Sequence, residues 1–198
     1  MQILAGSEPR DLARRGFGMK KTAVAAWRAI AASFVIVLFT TSIALASTPL
    51  LDRTLSLADL SSQLNTPEKI AHYMWRHFLF EQDQRQFGKE DYWQTPEEFL
   101  QRGKGDCEDF ASFAAALLKR NGVNTFILNV YGNGFGHTVV VFEEKGTYQV
   151  IDGTEVIRHK AGSLKELLEK IYPFWKTGAI VTASPAGKTG IILQTITR

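Results

Sequence analysis

From Thr66 onward the apolar positions Ile70, Met74 and Phe78 recur every four residues, which predicts a helix running to about Phe80 with one buried stripe. Thr66-Pro67-Glu68 supplies its start, a capping hydroxyl followed by proline at the first helical position. A polar stretch over 81–91 breaks the pattern, and Tyr92-Trp93-Gln94 leads to a second start at Thr95-Pro96-Glu97-Glu98. Glu98 is placed there for a capping box, and this short helix ends near Arg102-Gly103. A third helix opens at Gly105-Asp106, with Asp106 as its N-cap and Asp109 three residues on. Phe110, Ala114, Leu117 and Leu118 make its apolar face, and Lys119-Arg120-Asn121-Gly122 its end. Ala111, Ala114, Ala115 and Ala116 predict close packing on all sides, as in the central helix of a domain.

After Gly122 the period changes from 3.6 to 2. Strands are predicted over 123–130, 137–143 and 148–152, with a glycine-rich turn over 131–136. Ser163-Leu164-Lys165-Glu166 opens a further helix to about Ile171, and one or two more strands are expected over 178–182 and 191–196. Helices first, then an antiparallel sheet, is the order of an α+β domain. We place it over 66–198, with the Ser/Thr/Leu-rich stretch 47–65 as a linker.

The first 46 residues do not belong to that pattern. Lys20, Lys21 and Arg28 precede an apolar run from Ala29 to Ala46 that closes on Ala44-Leu45-Ala46. This is the layout of an export leader, with Met19 as an alternative start. The run is also long enough for an uncleaved membrane anchor, and Arg14-Arg15 fits a twin-arginine signal. Each version delivers the domain outside the cytoplasm, most simply to the periplasm, or holds it at the membrane facing that compartment. Six of the 23 basic and two of the 20 acidic residues lie in this leader, so the rest holds 17 and 18. The remainder is therefore near neutral, without the basic surplus that nucleic-acid binding requires. Any membrane contact would come through the leader alone.

Export changes the meaning of the lone cysteine, Cys107. Exported chains use cysteines in pairs, and one thiol forms no internal disulfide. It is a free thiol, an intermolecular bridge or a buried apolar group. Its place at the first turn of the central helix favours ionisation through the helix dipole, and the flanking glycines leave N–H groups for an oxyanion. Asp106, Glu108 and Asp109 oppose that ionisation, so a cationic partner is needed. His72, His77 and His159 read as surface or partly packed residues, the last in a polar loop. His137 follows Gly132-Asn133-Gly134-Phe135-Gly136 and opens the strand Val139-Val140-Val141-Phe142, at the rim of the sheet. If Glu143-Glu144-Lys145-Gly146 forms a four-residue hairpin loop, Phe142 faces Thr147, Val140 faces Gln149, and His137 faces Asp152. A one-residue slip would break the pairing. Cysteine, histidine and aspartate then have the roles of nucleophile, base and orienter in thiol acyl transfer. The Cys107 N–H, with Trp93 or Gln101, is the expected oxyanion donor.

These motifs resemble the transglutaminase-like superfamily, and within it the bacterial transglutaminase-like cysteine proteinases. The resemblance is carried by Thr95-Pro96-Glu97-Glu98, Gly105-Asp106-Cys107-Glu108-Asp109-Phe110-Ala111, Gly136-His137-Thr138-Val139-Val140 and Val150-Ile151-Asp152-Gly153-Thr154. It implies a papain-like core with a Cys107–His137–Asp152 triad. Some members bind calcium through acidic residues beside the cysteine, which correspond to Asp106 and Glu108; otherwise these two cap the helix and favour its dipole. No other cofactor is implied. The superfamily includes hydrolases, acyl transferases and catalytically silent members. The expected function is an exported cysteine peptidase or amidase acting on protein or peptide; the alternative is a non-catalytic binding or assembly module of the cell envelope.

Overall fold

The computed structural model describes residues 55–182, 187–188 and 190–198, all within one compact unit. The expected leader over 1–46 lies outside the described residues. Part of the expected linker is instead a helix, α1 (Leu57–Gln63), because Ser56 and Asp59 form a reciprocal capping box and Leu57 and Leu60 are buried. α2 (Pro67–His77) carries the anticipated stripe, Ile70 and Met74 with Phe78 as C-cap, all buried. It stops three residues short of Phe80, and Leu79–Phe80 form a short strand, β1. α3 (Asp83–Phe87) follows, then α4 (Pro96–Arg102), β2 (Lys104–Gly105) and α5 (Cys107–Arg120). β1 and β2 pair in parallel, Leu79 opposite Lys104 and Phe80 opposite Gly105.

The remaining elements are β3 (Thr125–Gly132), β4 (Phe135–Glu144), β5 (Thr147–Asp152), β6 (Glu155–Ala161), α6 (Leu164–Ile171), β7 (Thr177–Val181) and β8 (Ile192–Thr197). The sheet order is β6-β5-β4-β3-β7-β8, antiparallel at every pairing. The segment read as a polar loop around His159 is the strand β6, half of it exposed. Alternation along β4 divides the core in two. Val140 and Phe142 join Phe110, Phe113 and Leu117 of α5 on one face. Val139 and Val141 join Leu167 and Leu168 of α6 and Trp175 on the other.

The hairpin register departs from the sequence expectation. Lys145 and Gly146 both adopt positive φ, 53° and 73°, and form a two-residue loop rather than a four-residue one. Glu144 therefore faces Thr147, Phe142 faces Gln149 and Val140 faces Ile151. His137 is not opposite Asp152 but two positions along from that register. The offset is even, so the side chains remain on one face, the face packed by α6.

Candidate active site

The N-terminus of α5, the start of β4 and the loop before α4 enclose a cleft of about 490 Å³. Cys107, His137, Trp93, Asp106, Glu108, Tyr131 and Phe80 are among the residues lining it. His137 Nε2 lies 2.7 Å from Asp152 Oδ1, and the Tyr172 hydroxyl donates to Asp152 Oδ2 at 2.7 Å. The diagonal relation on one sheet face is within reach of an imidazole and a carboxylate. With Nε2–H donated to Asp152, Nδ1 is the nitrogen left to accept a proton. Burial works to raise the Asp152 carboxyl, but the His137 bond and charge, with the Tyr172 hydroxyl, hold it below the usual carboxylate range. Tyr172 itself is pushed up, by burial and by that carboxylate.

Cys107 is half-buried and its Sγ donates to Glu108 Oε2 at 3.3 Å. The expected ease of ionisation is not what this environment provides. Burial first, then the Glu108 charge, pushes the thiol up to about 12, although the Thr138 backbone works the other way. Burial of the thiol, with the Glu108 carboxylate beside it, therefore opposes the ionisation that a helix start favours. Gly105 also has a different use from the one expected. A Cβ there would overlap the Asp109 carboxylate, so the small residue makes room for that side chain.

Asp109 is 1% exposed and accepts from the Gln94 backbone at 2.8 Å, from Gln94 Nε2 at 2.5 Å and from the Asp106 N–H at 3.3 Å. Burial still raises it to about 7. Asp83, also buried, accepts from the Tyr92 N–H at 2.5 Å, while Asp106 accepts from the Asp83 N–H at 3.2 Å. Burial raises Asp83 and Glu108 as well, with the Asp106 charge adding to it. Ligand oxygens of Asp83, Asp106 and Asp109, and of Asp83, Asp91 and Glu108, gather within 4.8 Å of one another. Asp83 Oδ1 and Asp106 Oδ1 are buried without a hydrogen-bond partner. An all-oxygen, multiply anionic set with unpaired oxygens fits a hard divalent cation such as calcium.

Of the two side chains named as oxyanion donors, Trp93 is buried in the cleft wall and its Nε1 donates to Asp91 Oδ1 at 3.0 Å. Gln101 is exposed on α4 and lines a separate pocket with Ser56 and Arg120, so it does not meet Cys107. Tyr172, Gln94 and Asp83 escaped the sequence reading. Asp83 precedes Cys107 by more than twenty residues in a stretch without periodicity, and Tyr172 caps a helix after the last predicted motif.

A helix that presents a cysteine at its first turn to an antiparallel sheet defines an α+β protein of the papain-like, transglutaminase-like class. Residues 53–172 match the family model of the transglutaminase-like domain, and the chain belongs to that family. A UPF0252 protein of Archaeoglobus fulgidus is 38% identical over 63 residues, 31% of this chain; the chain spans 20% of that relative's length. Among solved structures, calcium-bound and EGTA-treated LapG of Legionella pneumophila are each 22% identical, over 67% of this chain and 77% of theirs, with a TM-score of 0.45. A TGase structure is 17% identical over 67% of this chain and 40% of its own, with a TM-score of 0.38.

Proposed function

We propose that the chain is an exported cysteine hydrolase of protein or peptide amide bonds, with Cys107 as nucleophile, His137 as base and Asp152 as orienter. The observation that supports this reading is the 2.7 Å bond between His137 and Asp152 beside a cleft that Cys107 also lines. His137 Nδ1 takes the thiol proton as Sγ bonds to the carbonyl carbon, and the carbonyl pair moves onto oxygen. The Cys107 N–H, free at the helix start, faces the developing oxyanion; Trp93 Nε1 would join it only by leaving Asp91. Collapse breaks the C–N bond, and His137 returns the proton to the departing amine. Water then adds to the thioester, giving its proton to His137; the C–S bond breaks and the thiol is restored. An amine in place of water would give acyl transfer through the same intermediate. Asp152 keeps Nε2–H fixed throughout, which selects the tautomer with a basic Nδ1.

In the same reading Asp83, Asp106 and Glu108, with Asp91 or Asp109, hold calcium. Bound there, the ion supplies positive charge that lets these carboxylates ionise side by side. Among the described residues no helix is long and apolar enough to cross a membrane, so any anchor would rest on the leader. Fractionation of cells expressing the full chain tests the export.

The contrasting reading, a binding or assembly module, is favoured by one observation: the thiol is bonded to Glu108 and pushed up to about 12. Alkylation of Cys107 by chloroacetamide at pH 7, with and without calcium, separates the two. The hydrolase reading expects labelling at least about tenfold faster than a free cysteine, and roughly a hundredfold loss in His137→Ala. A thiol no faster than free cysteine in either condition, and indifferent to His137→Ala, leaves the binding module.

A further inference from the structure

We propose that β1 is the docking strand for the substrate: an extended stretch of polypeptide adds to its outer edge at Phe80 and carries its backbone past Cys107. The inference rests on the hydrolase reading above. The Leu79 N–H donates to the Gly103 carbonyl and the Glu81 N–H to the Gly105 carbonyl, both at 2.9 Å. Alternation therefore turns the Phe80 N–H and C=O away from β2, and among the described residues this small sheet has no third strand. The far edge of β2 is closed, since the Lys104 carbonyl accepts from Gln94 Nε2 at 3.0 Å. Only the β1 side can take another strand.

That edge is continuous with the cleft. Phe80 lines it although 66% exposed, and β2 runs through Asp106 directly into Cys107. Tyr131, 44% exposed, lines the same cleft from β3. Pairing through the backbone demands an unpaired chain, so the substrate is a linker or unfolded segment rather than a folded surface. The two rings favour an apolar side chain at alternate positions. The residues lining the cleft include Glu90 and no Lys or Arg, which disfavours an acidic segment.

A peptidyl electrophile, acetyl-Leu-Ala-Ala chloromethyl ketone, is compared with chloroacetamide on the whole protein. N-methylation of one of its backbone nitrogens should slow labelling of Cys107 about fivefold, the worth of one backbone hydrogen bond, and methylation at the others should not. Phe80→Pro, tolerated where an edge N–H faces outward, should slow the peptidyl probe several-fold more than it slows chloroacetamide, a difference that Phe80→Leu, which keeps the N–H, should not show. A Leu→Glu version of the probe should react more slowly than the parent. Equal rates for every methylated probe overturn the inference, as does a Phe80→Pro protein that loses a dimer seen in sedimentation while keeping its peptidyl rate. If neither reagent labels Cys107 faster than free cysteine, the failure lies in the hydrolase reading itself.

Discussion

Raising the pH of the chelated protein from 5 to 7.5 should lower its melting temperature. The reason is the buried carboxylate cluster. Asp109 is held at about 7 against an ordinary 3.8. Between those values the folded chain keeps a proton that the unfolded chain has released, so stability falls as pH rises across that window. The full displacement of about three units corresponds to roughly 4 kcal/mol, and the part between pH 5 and 7 to roughly 3 kcal/mol, a ceiling reached only if the site stays dry. Asp83 and Glu108 are raised by the same burial and act with the same sign. Glu68, Glu144 and Asp152 are lowered, so their contribution is lost below the ordinary carboxylate range, outside the window. His77, lowered by burial, pulls the other way but is a single half-buried group. A net loss of about 2–4 kcal/mol lowers Tm by about 5–10 °C in a domain of this size. Circular dichroism melts in EDTA at pH 5, 6 and 7.5 measure it. Calcium at a hundred times its Kd should restore about 2.7 kcal/mol at pH 7.5 and much less at pH 5, where protons compete. A chelated Tm that is flat or rising across this range, or a calcium effect equal at both ends, would refute the reasoning.

Tyr172→Phe removes the hydroxyl bonded to Asp152 and should cost about 1–2 kcal/mol, read as a Tm drop of about 3–6 °C. Since Asp152 is lowered in the folded state, its stabilisation is present at neutral pH and lost in acid; the variant should begin acid unfolding at a higher pH than the parent. Gly105→Ala drives a methyl into the Asp109 carboxylate and should destabilise by about 1–3 kcal/mol, with a weakened calcium response in the same melts.

Much of this arrangement was legible because it depends on periodicity and caps. The alanine-rich spacing of α5 and the Thr-Pro starts of α2 and α4 are local signals, and the structure follows them. The sequence suggests a hairpin loop two residues too long because Glu143 and Glu144 look like loop, whereas only Lys145 and Gly146 adopt positive φ. Parity protected the pairing: a shift by two keeps His137 and Asp152 on one face, and a shift by one would have parted them. What was not legible is long-range. Gln94 and Asp83 reach Asp109 and Asp106 only through the packing of α3 and α4 beside α5, and no spacing along the chain encodes that. The thiol environment is hidden from the sequence for the same reason, since burial of Cys107 and Glu108 is a tertiary property.

The cysteine and the imidazole are anchored in different cores. α5 is keyed to the aromatic cluster of Phe78, Phe99 and Phe110, whereas the His137–Asp152 pair lies on the opposite sheet face with Tyr172 and Leu168. Sulfur and imidazole nevertheless line one cleft, where the first turn of α5 meets the rim of the sheet. A cavity cut into the core under α5 acts first on the thiol, and one cut under α6 acts first on the imidazole. The separation between them is a mechanical dimension of the fold, set by how two independently packed layers register on a single strand.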